Sequence, residues 1–241
     1  MVDNIRVEDV LFLDIETVPA VQVFESLEPK MQVLWEKKSK QFRTADQAPD
    51  EVYERAGMYS EFGKIICISV GLVKEKNPFR LKLKSFFGDD EKVLLSDFSA
   101  MLTKFCKTNR EAILCAHNGK EFDYPYIARR MVINGLIIPE ILDSSGKKPW
   151  EVKLLDTMEL WKFGDYKNYT SLELLTSILG IATPKDDIDG SKVAGVYYND
   201  KDTERIVRYC EKDVLAIAQV LLRFMNLPGI QLDMIESVTF K

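Results

Sequence analysis

Apolar and polar positions along this chain switch between two periods, and the switches mark the elements. Val10-Leu11-Phe12-Leu13 is a continuous apolar run that starts to alternate at Asp14-Ile15-Glu16, as a buried strand does near its end, and Pro19 closes it. Two further strand-like runs, Ile65 to Val73 and Leu81 to Phe87, flank the turn pair Asn77-Pro78 and predict a hairpin. A helical period then takes over: Val93, Leu94, Phe98, Met101, Leu102 and Phe105 predict a helix over about 91–107. Ala112 to Ala116 predicts a short buried strand, followed by a helix from about Phe122 to Asn134 that Gly135 ends. Leu154-Leu155 predicts a brief strand before Asp156. Thr170 or Ser171 caps a helix carrying Leu172, Leu174, Leu175, Ile178 and Leu179, which Gly180 stops. Residues 182–200 are polar and predict a loop. The last helix runs from about Asp202-Thr203 to about Met225, and Pro228 ends it.

This order predicts an α/β protein with a central sheet flanked by helices. It fits one domain over residues 1–241, with a helical and loop insertion at about 20–63 and a C-terminal tail at 227–241. The insertion carries the basic stretch Lys37-Lys38-Ser39-Lys40, which reads as a solvated face, with contact to a nucleic-acid backbone as the alternative. In the tail, Ile230, Leu232, Met234 and Ile235 read as closing the core, with docking of a partner as the alternative.

Composition narrows the class. A chain of 241 residues, 46% hydrophobic, buries enough surface to fold without disulfides or a structural metal. Its four cysteines form no CxxC pair and its single histidine is His117, which argues against a Cys/His zinc site. Small buried thiols in a reducing compartment are expected instead. The first 16 residues hold three acidic side chains before position 10 and no basic n-region, so no signal peptide is expected. No apolar stretch approaches the roughly 18 residues of a membrane span. A cytoplasmic protein with no membrane partner is expected. The net charge of −5 argues, taken alone, against a nonspecific nucleic-acid binder.

Three carboxylate motifs change that picture. In a strand, residues i and i+2 share a face, so Asp14 and Glu16 project together while Ile15 points to the other layer. Two adjacent anions repel unless something cationic lies between them. In His117-Asn118-Gly119-Lys120-Glu121-Phe122-Asp123, a buried strand runs into a helix, and Asp123 falls in the first turn, where the helix dipole favours a carboxylate. In Tyr209-Cys210-Glu211-Lys212-Asp213, Tyr209 and Asp213 stand at i and i+4 on one helical face. Each motif alone has an ordinary structural explanation. His117 itself reads as a satisfied core histidine and Phe122 as core packing.

Taken together, in this order and at these element boundaries, the motifs resemble the DEDD superfamily of 3′–5′ exonucleases in its tyrosine subtype. Asp14-Ile15-Glu16-Thr17, Asn118-x-x-x-Phe122-Asp123 and Tyr209-x-x-x-Asp213 carry the likeness. Within the superfamily the chain is most similar to predicted exonucleases related to the proofreading domain of B-family DNA polymerases. Asp189-Gly190-Ser191-Lys192-Val193 followed by Tyr209-Cys210-Glu211-Lys212-Asp213-Val214 supports the narrower match, and the likeness spans about residues 8–226.

The resemblance implies a ribonuclease-H-like mixed sheet in which the hairpin is antiparallel and the later strands run parallel to the first. It implies two divalent cations, Mg²⁺ or Mn²⁺, held by Asp14, Glu16, Asp123 and Asp213, with Asp14 bridging them and Tyr209 placing the attacking water. Those cations add about four positive charges where a phosphate sits, which removes the objection from net charge. Thr17, Asn118 and Phe122 become candidate neighbours of the terminal nucleotide, Phe122 as a stacking wedge. The implied substrate is the 3′ end of DNA, single-stranded or frayed, with RNA trimming by the same carboxylates as the alternative. A catalytically silent nucleic-acid-binding module is the second alternative. No polymerase module is recognisable in the sequence, so action alone in repair, or beside an unidentified protein partner in replication or repair, is expected.

Overall fold

The structure is a computed structural model. It describes residues 5–76, 78–165, 167, 169–182 and 188–240. Asn77 of the expected turn and residues 183–187 of the expected loop lie outside the described residues.

Strand β1 (Val10–Pro19) is central and leads into the helical segment that holds α1 (Pro29–Ser39). The long hairpin β2 (Gly63–Lys76) and β3 (Phe79–Phe87) follows, then α2 (Glu91–Thr108), β4 (Ile113–Ala116) and α3 (Asp123–Ile133). After β5 (Leu154–Asp156) come α4 (Thr157–Lys162), α5 (Leu172–Ile178), the short α6 (Val193–Gly195) and α7 (Thr203–Phe224), with β6 (Ile235–Ser237) last. The six strands make one mixed sheet in the order β5-β4-β1-β2-β3-β6. Strand β2 is antiparallel to both neighbours, and the remaining pairs are parallel.

The pleat of β1 explains how the site is positioned. Leu11, Leu13 and Ile15 face one side and pack with Leu94, Leu95 and Phe98 of α2 and Tyr124 and Ile127 of α3. Val10 and Phe12 face the other side and pack with Val214, Ile217, Ala218 and Leu221 of α7. Further along, Val18 packs with Ile206 and Val207, nearer the start of α7. Asp14 and Glu16 share the parity of Val10, Phe12 and Val18. They are therefore two carboxylates inserted into an otherwise apolar seam between strand and helix. Gly71, the register partner of Phe12 on β2, lets α7 lie close to the sheet, because a Cβ there would stand 2.7 Å from Cγ1 of Val214.

The segment after β1 forms α1 and short 3₁₀ turns around its own cluster, with Trp35 fully buried among Leu27, Val52, Tyr53, Ala56 and Phe62. Lys37 and Lys40 of the basic stretch are exposed, while Lys38 lies over the Tyr59 ring at 4.7 Å.

Two expectations are corrected. The loop expected over 182–200 is helical from Val193 to Asp200, as α6 and a π-helical turn, because Val193, Val196 and Tyr197 bury against Val18 and Ile66. The tail buries Ile230 in the core, as read, but it also forms β6 and extends the sheet beside β3. The Glu211 carboxylate of α7 fastens that tail by accepting from Ser237 at 2.9 Å, from Thr239, and from Ser85 of β3 at 3.0 Å.

Candidate active site

Asp14 sits where the apolar seam breaks. Its carboxylate and that of Glu16 each have a ligand oxygen within 4.8 Å of one another and of the Cys210 sulfur on α7. Asp123 reaches the same place from the opposite face of the sheet. It opens α3, is buried, and receives support from the backbone of Ile15. Asp213 comes from α7, one turn after Tyr209, and acts electrostatically on Asp14, Glu16 and Asp123. Asp14 and Glu16 are therefore neighbours by distance, and Asp123 and Asp213 act on them electrostatically.

The cluster is electrostatically strained. Burial pushes the Asp14 and Glu16 carboxyls well above the usual carboxylate range, and the negative charges of Asp213 and Asp123 push each of them further. Burial raises Asp123 to about 7, partly offset by its own backbone and that of Ile15. One oxygen of Asp123, Oδ1, is buried without a hydrogen-bond partner. A buried anion lacking a donor is costly unless a cation completes it, and hard oxygen donors suit Mg²⁺ or Mn²⁺. The residues present thus fit a divalent-cation site.

Tyr209 is half-buried and hydrogen-bonds Asp213, and burial together with the neighbouring carboxylates raises its phenol above the ordinary value. It keeps its proton at neutral pH. Thr17 turns the other way, after a register shift between Glu16 and Thr17, and pairs with Tyr126. Asn118 takes a left-handed backbone at φ 59°, and its side-chain Oδ1 is buried without a partner. The Phe122 ring is half-buried and lies 5.3 Å from that of Tyr126, which is packing within the α3 core. His117 is satisfied, with Nδ1 against Thr157 Oγ1 and Nε2 against the Thr170 carbonyl, both at 2.9 Å.

Two residues of the site were not singled out from sequence. Asp156 ends β5 and organises the approach to α3, accepting from the backbone N–H of Asn118 at 2.9 Å and of Lys120 at 3.0 Å while capping α4. An Asp followed by Thr-Met-Glu carried an N-cap signal that could have found it. Cys210 donates to Asp14, and nothing in its sequence neighbourhood marks that role.

A mixed sheet thus brings carboxylates from its central strand, Asp14 and Glu16, into electrostatic reach of carboxylates from helices on its two faces, Asp123 and Asp213. Residues 58–237 match the family described as predicted 3′–5′ exonucleases related to the exonuclease domain of PolB. The chain belongs to that family and is a hydrolase of the exonuclease kind; β1, with Asp14 and Glu16, precedes the matched stretch. No curated protein sequence matches the chain. Among solved structures it is similar to the family B DNA polymerase of the hyperthermophilic archaeon Pyrobaculum calidifontis, at 15% identity and a TM-score of 0.53. That match covers 90% of this chain and 25% of the polymerase, so this chain spans about a quarter of the polymerase's length. The shared fold is ribonuclease-H-like.

Proposed function

We propose that the protein removes nucleotides from the 3′ end of DNA, single-stranded or frayed, by cation-assisted hydrolysis that releases nucleoside 5′-monophosphates. The observation that carries this reading is the strained carboxylate cluster: the charges acting on Asp14 are those of Asp213, Asp123 and Glu16, all of its own sign. Asp14 would bridge two cations, Glu16 and Asp213 would complete the first site, and Asp123 would hold the second. When bound, the cations supply Lewis acidity for the entering and leaving oxygens and make water a nucleophile at neutral pH.

The remaining work falls to the chain's own groups. Tyr209, with its phenol pushed up, orients the attacking water by hydrogen bonding and does not take its proton. Asn118 offers the unpartnered Oδ1 to the terminal nucleotide. Backbone near Glu16 and Thr17 forms the neighbouring wall.

A gel assay on matched DNA and RNA strands, single-stranded and 3′-recessed, with Mg²⁺ or Mn²⁺, tests the substrate. DNA is expected to be shortened faster than RNA, and the reverse order would move the assignment to RNA trimming. Tyr209→Phe is expected to lose much of the rate while retaining cation binding, and an unchanged rate would remove its role.

A further inference from the structure

The outer face of α7 next to the cluster carries a second feature. Residues 205, 208, 209 and 212 stand at i, i+3, i+4 and i+7, so Arg205, Arg208 and Lys212 share one helical face with Tyr209. Together with Ile188, Asp202 and Glu204 these four line an open cavity of about 380 Å³. Tyr209 is a wall common to this cavity and to the carboxylate cluster, so the two spaces adjoin. Three cations gathered here are notable in a chain whose net charge is −5.

The two acids in the lining already have duties. Asp202 caps α7, accepting from the Arg205 N–H at 3.1 Å. Glu204 pairs with Arg208 across one exposed helical turn. An exposed pair of that kind holds weakly and exchanges readily. A phosphate competes well for such an arginine, because two parallel N–H···O bonds match its geometry. Arg205 lies 3.5 Å from Asp200 and is less exposed than Arg208, and Lys212, half-buried, stands one turn beyond Arg208 on the same face.

We propose that this face binds backbone phosphates of the polynucleotide strand as it runs past Tyr209, with Arg208 and Lys212 making the contacts. The proposal rests on the exonuclease reading for the identity of the strand. It gives an acidic protein a local basic track beside an acidic centre, and it fixes which side of α7 the strand follows.

The test is binding in EDTA, where no cleavage occurs, of a fluorescein-labelled oligothymidylate followed by anisotropy across a range of KCl concentrations. Each phosphate contact to a single strand contributes about 0.7 to the slope of log affinity against log salt. Arg208→Glu with Lys212→Glu is expected to weaken low-salt binding at least tenfold and to lower the slope by more than one such contact. Lys107→Glu, on the exposed side of α2, is expected to change neither. Should the double charge reversal fail to fold, Arg208→Gln and Lys212→Gln, measured singly, are each expected to lower the slope by about 0.7. An unchanged slope, or an equal loss in Lys107→Glu, would overturn the proposal. The exonuclease reading fails differently: a protein without nuclease activity whose slope still falls keeps this face as a phosphate track, and an active nuclease whose slope does not move loses only the track.

Discussion

The Cys210 thiol donates to Asp14, with its sulfur 3.4 Å from both the backbone oxygen and Oδ2 of that residue. A side chain on α7 thereby fixes the rotamer of the carboxylate proposed to bridge two cations. Partners of metal ligands that set their orientation typically matter by about 10–100-fold, and a thiol, as a weak donor, belongs near the lower end. Cys210→Ala is therefore expected to weaken Mn²⁺ affinity about tenfold, read by calorimetry, while Cys210→Ser keeps most of it. Equal affinities in all three proteins would show that the thiol only fills space.

The carboxylate cluster should burden the cation-free protein. Asp14→Asn removes a carboxyl whose ionisation is opposed by burial and by three neighbouring acids, and is expected to raise the cation-free unfolding midpoint by about 2–4 °C, the equivalent of roughly 1 kcal/mol in a chain of this size. Wild-type protein should in turn gain about 2.7 kcal/mol from Mn²⁺ at a hundredfold its dissociation constant. The variant should gain far less. A scanning calorimetry series that finds Asp14→Asn destabilised without cations, and as responsive to Mn²⁺ as wild type, would contradict the cluster's assignment.

His117 provides a pH test with one signal, since the chain has a single histidine. Burial lowers its pKa, against the support of the Thr170 carbonyl and the charge of Asp156. A histidine depressed on folding contributes stability that is present above its unfolded pKa of about 6.5 and lost as pH falls through the folded value. The imidazole resonance is expected to titrate below 6.5, and stability to decline on acidification past that point. A midpoint above 6.5 would mean that the ring is held as the cation.

Trp35 tests whether the segment after β1 is a packed unit. Its ring is fully buried, contacts those of Phe42, Tyr53, Tyr59 and Phe62, and donates from Nε1 to the Pro49 carbonyl at 2.8 Å. Trp35→Ala is expected to cost about 3–5 kcal/mol in urea unfolding if the segment unfolds with the sheet. A loss below about 1 kcal/mol would mean that it opens separately.

The parts of this protein legible in its sequence are those where one face of an element meets one environment. The alternation through Val10 to Glu16 placed Asp14 and Glu16 on one face of β1, and the i, i+4 spacing aligned Tyr209 with Asp213 on α7. The illegible parts depend on distant partners. Nothing local distinguishes Ile235–Ser237 as a strand; it becomes one by pairing with β3 and by the bonds of Ser237 and Thr239 to Glu211. The helical turns over 193–200 did carry a local signal in the spacing of Val193, Val196 and Tyr197, but polar neighbours hid it. Cys210 was read correctly as a buried thiol, yet its bond to Asp14 spans 196 positions and has no trace in either segment.

The central claim is that the four carboxylates act as one cation-dependent centre at a 3′ end. The direct measurement is stepwise shortening of a 5′-labelled single strand by wild-type, Asp14→Ala and Asp213→Ala proteins, with Mn²⁺ and again with EDTA. The account predicts a ladder descending from the 3′ end in the wild type with Mn²⁺, none with EDTA, and a rate at least a hundredfold lower in both variants. A full ladder from either folded variant, or from wild type in EDTA, would contradict it.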